Sequence, residues 1–194
     1  MHIKLSGVWT IISLTVIGFL LESAASDSAI SGFALWPFQA GFMPWQLVTF
    51  SFLHANFIHL AFNLYGLWMF GGELEKLLGK SAFFNLYFAS VLSAGVLQLL
   101  VTSLTGSLYP TVGASGGVFG LLLAYGKCFP NRIIMLLIPP VPLPAWLFVM
   151  LYAVIELMLG VTGTQSGVAH FAHLGGMIGG YIVIRRWRRR SRWI

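Results

Sequence analysis

Charge is what this sequence has least of. Only 8% of its 194 residues are Asp, Glu, Lys or Arg, and just five are acidic, against roughly a quarter charged in an ordinary soluble domain. Such a chain cannot clothe a water-facing globule. Its 58% hydrophobic content and mean hydropathy of +0.86 place it among polytopic membrane proteins. Cysteine is nearly missing as well: Cys128 stands alone, which excludes an intramolecular disulfide. Five histidines are present, but no His-Glu-x-x-His, the helical ligand pattern of zinc proteases.

What fills the chain instead is a set of apolar runs: Leu5 to Leu21, Leu53 to Phe70, Ser81 to Leu104, the short Gly116 to Gly126, Pro144 to Val161 and Val168 to Ile184. They predict an all-α membrane protein of six spans in one domain, 1–194. The net charge of +6 raises nucleic acid as a partner, and the placement of the basic residues argues against it. Lys4 precedes the first span, Lys76 and Lys80 lie between the second and third, Lys127 and Arg132 between the fourth and fifth. Arg185, Arg186, Arg188, Arg189, Arg190 and Arg192 follow the sixth. The alternate connections (22–52, 105–114, 162–167) contain no Lys or Arg. This positive-inside pattern predicts both termini in the cytoplasm, and the basic tail 185–194, with Trp187 and Trp193, is expected to touch anionic lipid. Ser23-Ala24-Ala25 resembles a signal-peptidase site. The Ser and Thr scattered through the first run suit a retained, packed helix too, and cleavage would leave five spans with the same active face.

The informative stretch is Gly113-Ala114-Ser115-Gly116-Gly117-Val118-Phe119-Gly120, which sets a serine between glycines at the head of a helix too short to cross a bilayer. Lys127, the first charge after Ser115, is twelve residues on, ~18 Å of α-helix against ~30 Å of hydrocarbon. With Lys127 at the inner boundary, Ser115 lies inside the membrane. The backbone before it, 106–112 with Pro110, must then descend in non-helical form, which is tolerated only where protein or a water-filled cavity surrounds it. A serine at the bottom of such a depression is a candidate nucleophile.

Other polar groups reach the same depth. Asn56, His59, Asn63, Gly66 and Phe70 recur at steps of three and four, one helical stripe, and His54 falls off it. Counted up from Glu73, Asn63 is ~15 Å and His59 ~21 Å above the inner end, bracketing Ser115. On the last span His173 is twelve residues from Arg185, again ~18 Å, with His170 one turn further out. Glu156 sits deep in the fifth span, where an acid is a functional suspect or a carboxyl held for packing. Gly116 with Gly120, Gly175 with Gly179 and Gly176 with Gly180 repeat the small-xxx-small spacing that brings membrane helices together. The aromatic loop 31–45, with Phe33, Trp36, Phe38, Phe42 and Trp45, is expected in the outer interface. In the turn 71–80, Glu73 and Glu75 can pair with Lys76 and Lys80. The third span reads as a structural helix.

Close approach of the fourth and sixth spans would let neutral His173 take the Ser115 proton during attack on a peptide carbonyl and return it to the leaving amine. The Ser115 backbone N–H, the Asn63 amide and the His59 imidazole are at a depth to stabilise the oxyanion. No third residue orienting His173 is evident in the sequence, so a dyad is favoured over a triad with Glu156.

His59-Leu60-Ala61-Phe62-Asn63, the turn from Glu73 to Gly79, Gly113-Ala114-Ser115-Gly116, and Ala172-His173 with Gly176 and Gly180 together resemble the rhomboid intramembrane serine proteases, roughly from Trp45 to Tyr181. The resemblance implies a six-helix bundle whose short fourth helix starts inside the membrane. It implies Ser115 as nucleophile, His173 as general base, His59 and Asn63 as oxyanion donors, and Phe119 stacked under the histidine, with no cofactor and no metal. It also implies substrates that are single-span membrane proteins, cut near the outer end of their span after passing beside the fifth helix. The chain looks like a small bacterial form, which places it in the inner (cytoplasmic) membrane. It departs from the family's common pattern in carrying Trp45-Gln46 where a Trp-Arg pair is common in the first loop. Three other readings compete. A metalloprotease would rest on His170, His173 and Glu156, a non-catalytic rhomboid-like protein would bind or escort membrane helices, and a transporter would need polar groups spread across the membrane rather than gathered at one depth.

Overall fold

The computed structural model describes residues 6–25, 30–135, 140–163 and 168–190. Lys4, Pro139, Arg192, Trp193 and most of the connection 162–167 lie outside these residues. The first helix, α1 (Gly7–Ala24), begins at Ser6, whose hydroxyl accepts from the Trp9 N–H. Its next two backbone donors, Gly7 and Val8, have no intrahelical acceptors and donate to the carboxylate of Glu75. At the other end Glu22 Oε2 accepts from the His54 N–H at 2.8 Å. Two carboxylates therefore fasten α1 to the segment 54–75, while Val8, Ile11, Ile12 and Thr15 are buried against its neighbours.

Helix α2 (Phe57–Gly66) starts at Asn56, whose side chain accepts from His59 N at 2.8 Å. It continues through a π-helical turn, Leu67–Gly71, into Gly72–Leu78. The long α3 (Lys80–Thr105) follows Gly79, at φ +81°, and stops at Gly106, at φ +70°. After an irregular stretch come α4 (Ser115–Cys128), α5 (Ala145–Thr162) and α6 (His170–Arg190). One feature was not expected: β1 (Ile133–Met135) pairs antiparallel with β2 (Pro142–Pro144) at the α4–α5 connection. The two prolines of β2 lack the N–H a ladder uses, and a two-stranded ribbon is all edge, where they are tolerated.

By length and composition α1, α3 and α5 are each sufficient to cross a membrane. A fourth crossing is formed if Gln46–Phe52 and Phe57–Leu78, bent by 101°, act as one. At the centre, α3 packs on both α4 and α6, and the glycines explain how three helices meet so closely. A Cβ on Gly176 or Gly180 would strike the backbone of Gly116 or Gly120 on α4, whereas one on Gly175 or Gly179 would strike the α3 backbone near Ser93 and Ala89. The two glycine pairs of α6 thus serve two different partners. The basic ends converge as well: Arg188 donates to the Lys127 carbonyl, Lys127 lies over the Tyr181 ring, and Arg132 reaches Glu73 at 3.7 Å. Glu73 also pairs with Lys76 at 3.2 Å.

Candidate active site

Ser115 is the first residue of α4, and the chain before it is held by other parts of the molecule. Leu35 and Thr111 exchange two backbone hydrogen bonds at 3.0 and 2.9 Å, and Gly113 N–H donates to the Phe50 carbonyl at 2.9 Å. The irregular descent into the site is therefore satisfied by the loop 31–52, as backbone away from water requires. Gly113 needs to be glycine on two counts: its φ is +127°, and a Cβ there would sit against the His59 ring. His59 and Ser115 both flank this one residue.

The loop 31–52 is organised by Gln46. It is 1% exposed. Its Oε1 accepts from the N–H groups of Trp36 and Met43, both at 3.1 Å, and its Nε2 donates to the Gly32 carbonyl at 3.1 Å. A neutral amide, which both donates and accepts, meets all three needs of the loop where a guanidinium could only donate. Phe33, Phe38 and Trp45 point outward from it and are half exposed.

Helix α6 brings His173 to the serine: its Nε2 is 2.8 Å from Ser115 Oγ. Phe119, one turn into α4, stacks on the imidazole with ring centroids 4.3 Å apart and planes 7° from parallel. The small-residue contacts of Gly116 with Ala172 and of Gly176 with Gly116 set the helix separation that makes the hydrogen bond possible. On the ring's other side lies a group the sequence did not reveal as its partner. Glu156 Oε2, from α5, is 2.9 Å from His173 Nδ1 and 2.7 Å from His170 Nδ1. The histidine is thus held by an acid, where the sequence favoured an unsupported dyad.

Asn63 is buried, and its Nδ2 donates to the His59 carbonyl at 3.1 Å, leaving its second N–H. Gly66, one turn on, packs against Val118 of α4, so this face of α2 looks at the serine helix. A residue missed in the sequence, His54, belongs here too. It is 2% exposed, its ring is 5.0 Å from that of His59, and its Nε2 is 3.4 Å from the N–H of Ala114. The sign available was its position just before the Asn56 cap, outside the helical stripe that drew attention to His59. Glu156, His170 and His173 are also the described residues able to surround a metal ion, their ligand atoms lying within 4.8 Å of one another. Here those atoms hydrogen-bond to each other.

Comparison with known proteins gives a consistent answer. A family model described as Rhomboid domain matches residues 41–190. The chain is similar to Rhomboid protein 1, mitochondrial, of Saccharomyces cerevisiae, 34% identical over 146 residues, which are 71% of this chain and 40% of the relative. It is 30% identical over 139 residues to Rhomboid protease GluP of Bacillus subtilis (71% of this chain, 25% of the relative). With Rhomboid protease GlpG of Serratia proteamaculans it shares 29% identity over 189 residues, 94% of this chain and 62% of the relative. The chain spans from a quarter to three fifths of the length of these relatives.

Proposed function

This chain belongs to the rhomboid family, and on that premise we propose that it is an intramembrane serine endopeptidase cutting single-span membrane proteins in or near the outer end of their transmembrane segment. The observation that carries the proposal is the 2.8 Å approach of His173 Nε2 to Ser115 Oγ. In that geometry the serine proton passes to Nε2 as Oγ bonds to the scissile carbonyl carbon. The tetrahedral oxyanion collapses as the proton is handed to the leaving amine, and water then hydrolyses the acyl-serine by the same route. The Ser115 backbone N–H, at the start of a helix where such groups have no intrahelical acceptor, would stabilise the oxyanion together with His59 and Asn63.

The fuller topology belongs to the same reading. Six crossings, with α4 opening inside the membrane, place the site in a depression below the outer surface. The basic ends of 76–80, 127–132 and 185–190 face the cytoplasm of a bacterial cell, against anionic lipid. Substrate reaches Ser115 beside α5, whose outward face of Met150, Val154 and Met158 is exposed.

Purified protein in detergent, given a single-span substrate and a fluorophosphonate probe, tests this. Wild type is expected to cleave and to be labelled, Ser115→Ala to do neither, and His173→Ala to lose both by at least ~100-fold. Labelling or cleavage that persists in Ser115→Ala refutes the proposal.

A further inference from the structure

Glu156 is the carboxylate nearest the reacting groups, the reaction above does not use it, and it is placed as a working part. It is 7% exposed, on an α5 otherwise turned largely outward, and an acid at membrane depth survives only with partners. Both of its partners are histidines of α6, and both approach the same oxygen, Oε2, through Nδ1. Gly160, one turn along α5 on the same face, lies where a Cβ would press on His170 and Phe171, so α5 comes close to α6 at the level of the acid.

A carboxylate oxygen only accepts, so contacts of 2.7 and 2.9 Å to two ring nitrogens are both hydrogen bonds when each Nδ1 carries a proton. That fixes the tautomer of His173. With hydrogen on Nδ1, Nε2 is a bare lone pair, and it is Nε2 that faces the Ser115 hydroxyl. The opposite tautomer would point an N–H at the serine and leave nothing to receive its proton. His170 is held in the same form: it is 5% exposed, and its Nε2 meets no hydrogen-bond partner among the described residues.

We infer that Glu156 is a positioning residue that completes a Ser115–His173–Glu156 relay, with His170 as a second clamp holding the carboxylate in place. This rests on the serine-protease reading above. When His173 accepts the serine proton it becomes an imidazolium whose Nδ1–H already points at Oε2, so the new charge forms against an existing acceptor and needs no reorganisation. Glu156 keeps its own protonation state throughout. His170 Nδ1–H holds Oε2 from the other side, and because His170 and His173 lie one turn apart on α6, one acid on α5 locks the ring and the helix together.

The test compares wild type with Glu156→Gln, measuring kcat and KM on a single-span substrate and the rate of fluorophosphonate labelling. Loss of the orienting acceptor is expected to lower kcat and the labelling rate together by ~100-fold or more, with KM within about threefold. A change in KM with kcat intact, or labelling at the wild-type rate, would make Glu156 a packing residue and overturn the inference. If Glu156→Gln does not fold, 15N spectra of histidine-labelled wild type decide. With His173 assigned by its loss in His173→Ala, a proton on Nδ1 and a bare Nε2 support the inference, and a proton on Nε2 overturns it. Cleavage that depends on Ser115 but not on Glu156 leaves the protease reading standing without the relay, whereas cleavage independent of Ser115 removes both.

Discussion

At the scale of single residues the site is a set of short side chains whose positions are fixed by what stands behind them. Gly113 has no side chain because the His59 ring occupies the space. Phe119 fixes the plane of His173 by stacking. Asn63 spends one N–H on the His59 carbonyl, and in the proposed mechanism the other serves the developing oxyanion. Replacing Asn63 by alanine is expected to lower kcat by ~100-fold, the ~3 kcal/mol typical of one oxyanion donor. The labelled Ser115 adduct should still form, only more slowly. A full rate of turnover in Asn63→Ala would take Asn63 out of the oxyanion site. The cluster of Glu156, His170 and His173 has the composition of a zinc site, yet both Nδ1 atoms are already paired with Glu156 Oε2 by hydrogen bonds. Cleavage is therefore expected to be unchanged after exhaustive treatment with a chelator, assayed in metal-free buffer.

At the scale of elements, the decisive fact is that α6 packs with backbone-to-backbone closeness on two helices at once. Its Gly176 and Gly180 meet α4, and its Gly175 and Gly179 meet α3. Such contacts gain from dispersion and allow no side chain between. Gly176→Val should therefore collapse both stability and activity, seen as a large fall in the thermal unfolding temperature and no probe labelling. Gly32→Ala, in the first loop with nothing within 4 Å of a new Cβ, should leave both unchanged. The loop 31–52 behaves as a unit through Gln46. Gln46→Leu leaves the Trp36 and Met43 N–H groups and the Gly32 carbonyl without their partner, and each unsatisfied buried group costs ~1–3 kcal/mol. Because Thr111 and Gly113 hang on this loop through Leu35 and Phe50, activity is expected to fall before global unfolding is reached. A parallel loss of the two on a temperature ramp would argue against that coupling.

At the scale of the whole molecule, charge and shape agree. Contacts of Arg132 with Glu73 and of Arg188 with the Lys127 carbonyl gather one end of the bundle, and the cations of that end belong to the single-sided pattern on which the proposed cytoplasmic orientation rests. Fusion of a fluorescent protein that matures only in the cytoplasm, placed after residue 194, is expected to glow, while a periplasmic phosphatase at the same point stays inactive. The reverse result would invert the topology and put the basic end outside. Helix α1 is bound at one end by Glu75 and at the other by the contact of Glu22 with His54, so it is part of the bundle and touches, through His54, the residue next to the serine.

The sequence by itself determined the helical membrane architecture and most run boundaries to within a few residues, the second and sixth helices running on to Leu78 and Arg190, and it singled out Ser115, His173, His59 and Asn63 as one candidate group. Periodicity, hydropathy and distance from a charged boundary are properties of a linear chain, and they are sufficient for that. They also put Gly176 and Gly180 on a face of α6 suited to close packing. Only the tertiary structure decided which neighbour each glycine pair meets, that Gln46 closes the first loop, that His54 stands behind the serine, that a short ribbon joins α4 to α5, and that Glu156 bridges His170 and His173. Each of these depends on how helices are rotated about their own axes and where loops fold back. A one-dimensional pattern records the depth of Glu156 in the membrane, but its bond to His173 exists only once α5 and α6 turn the right faces to each other.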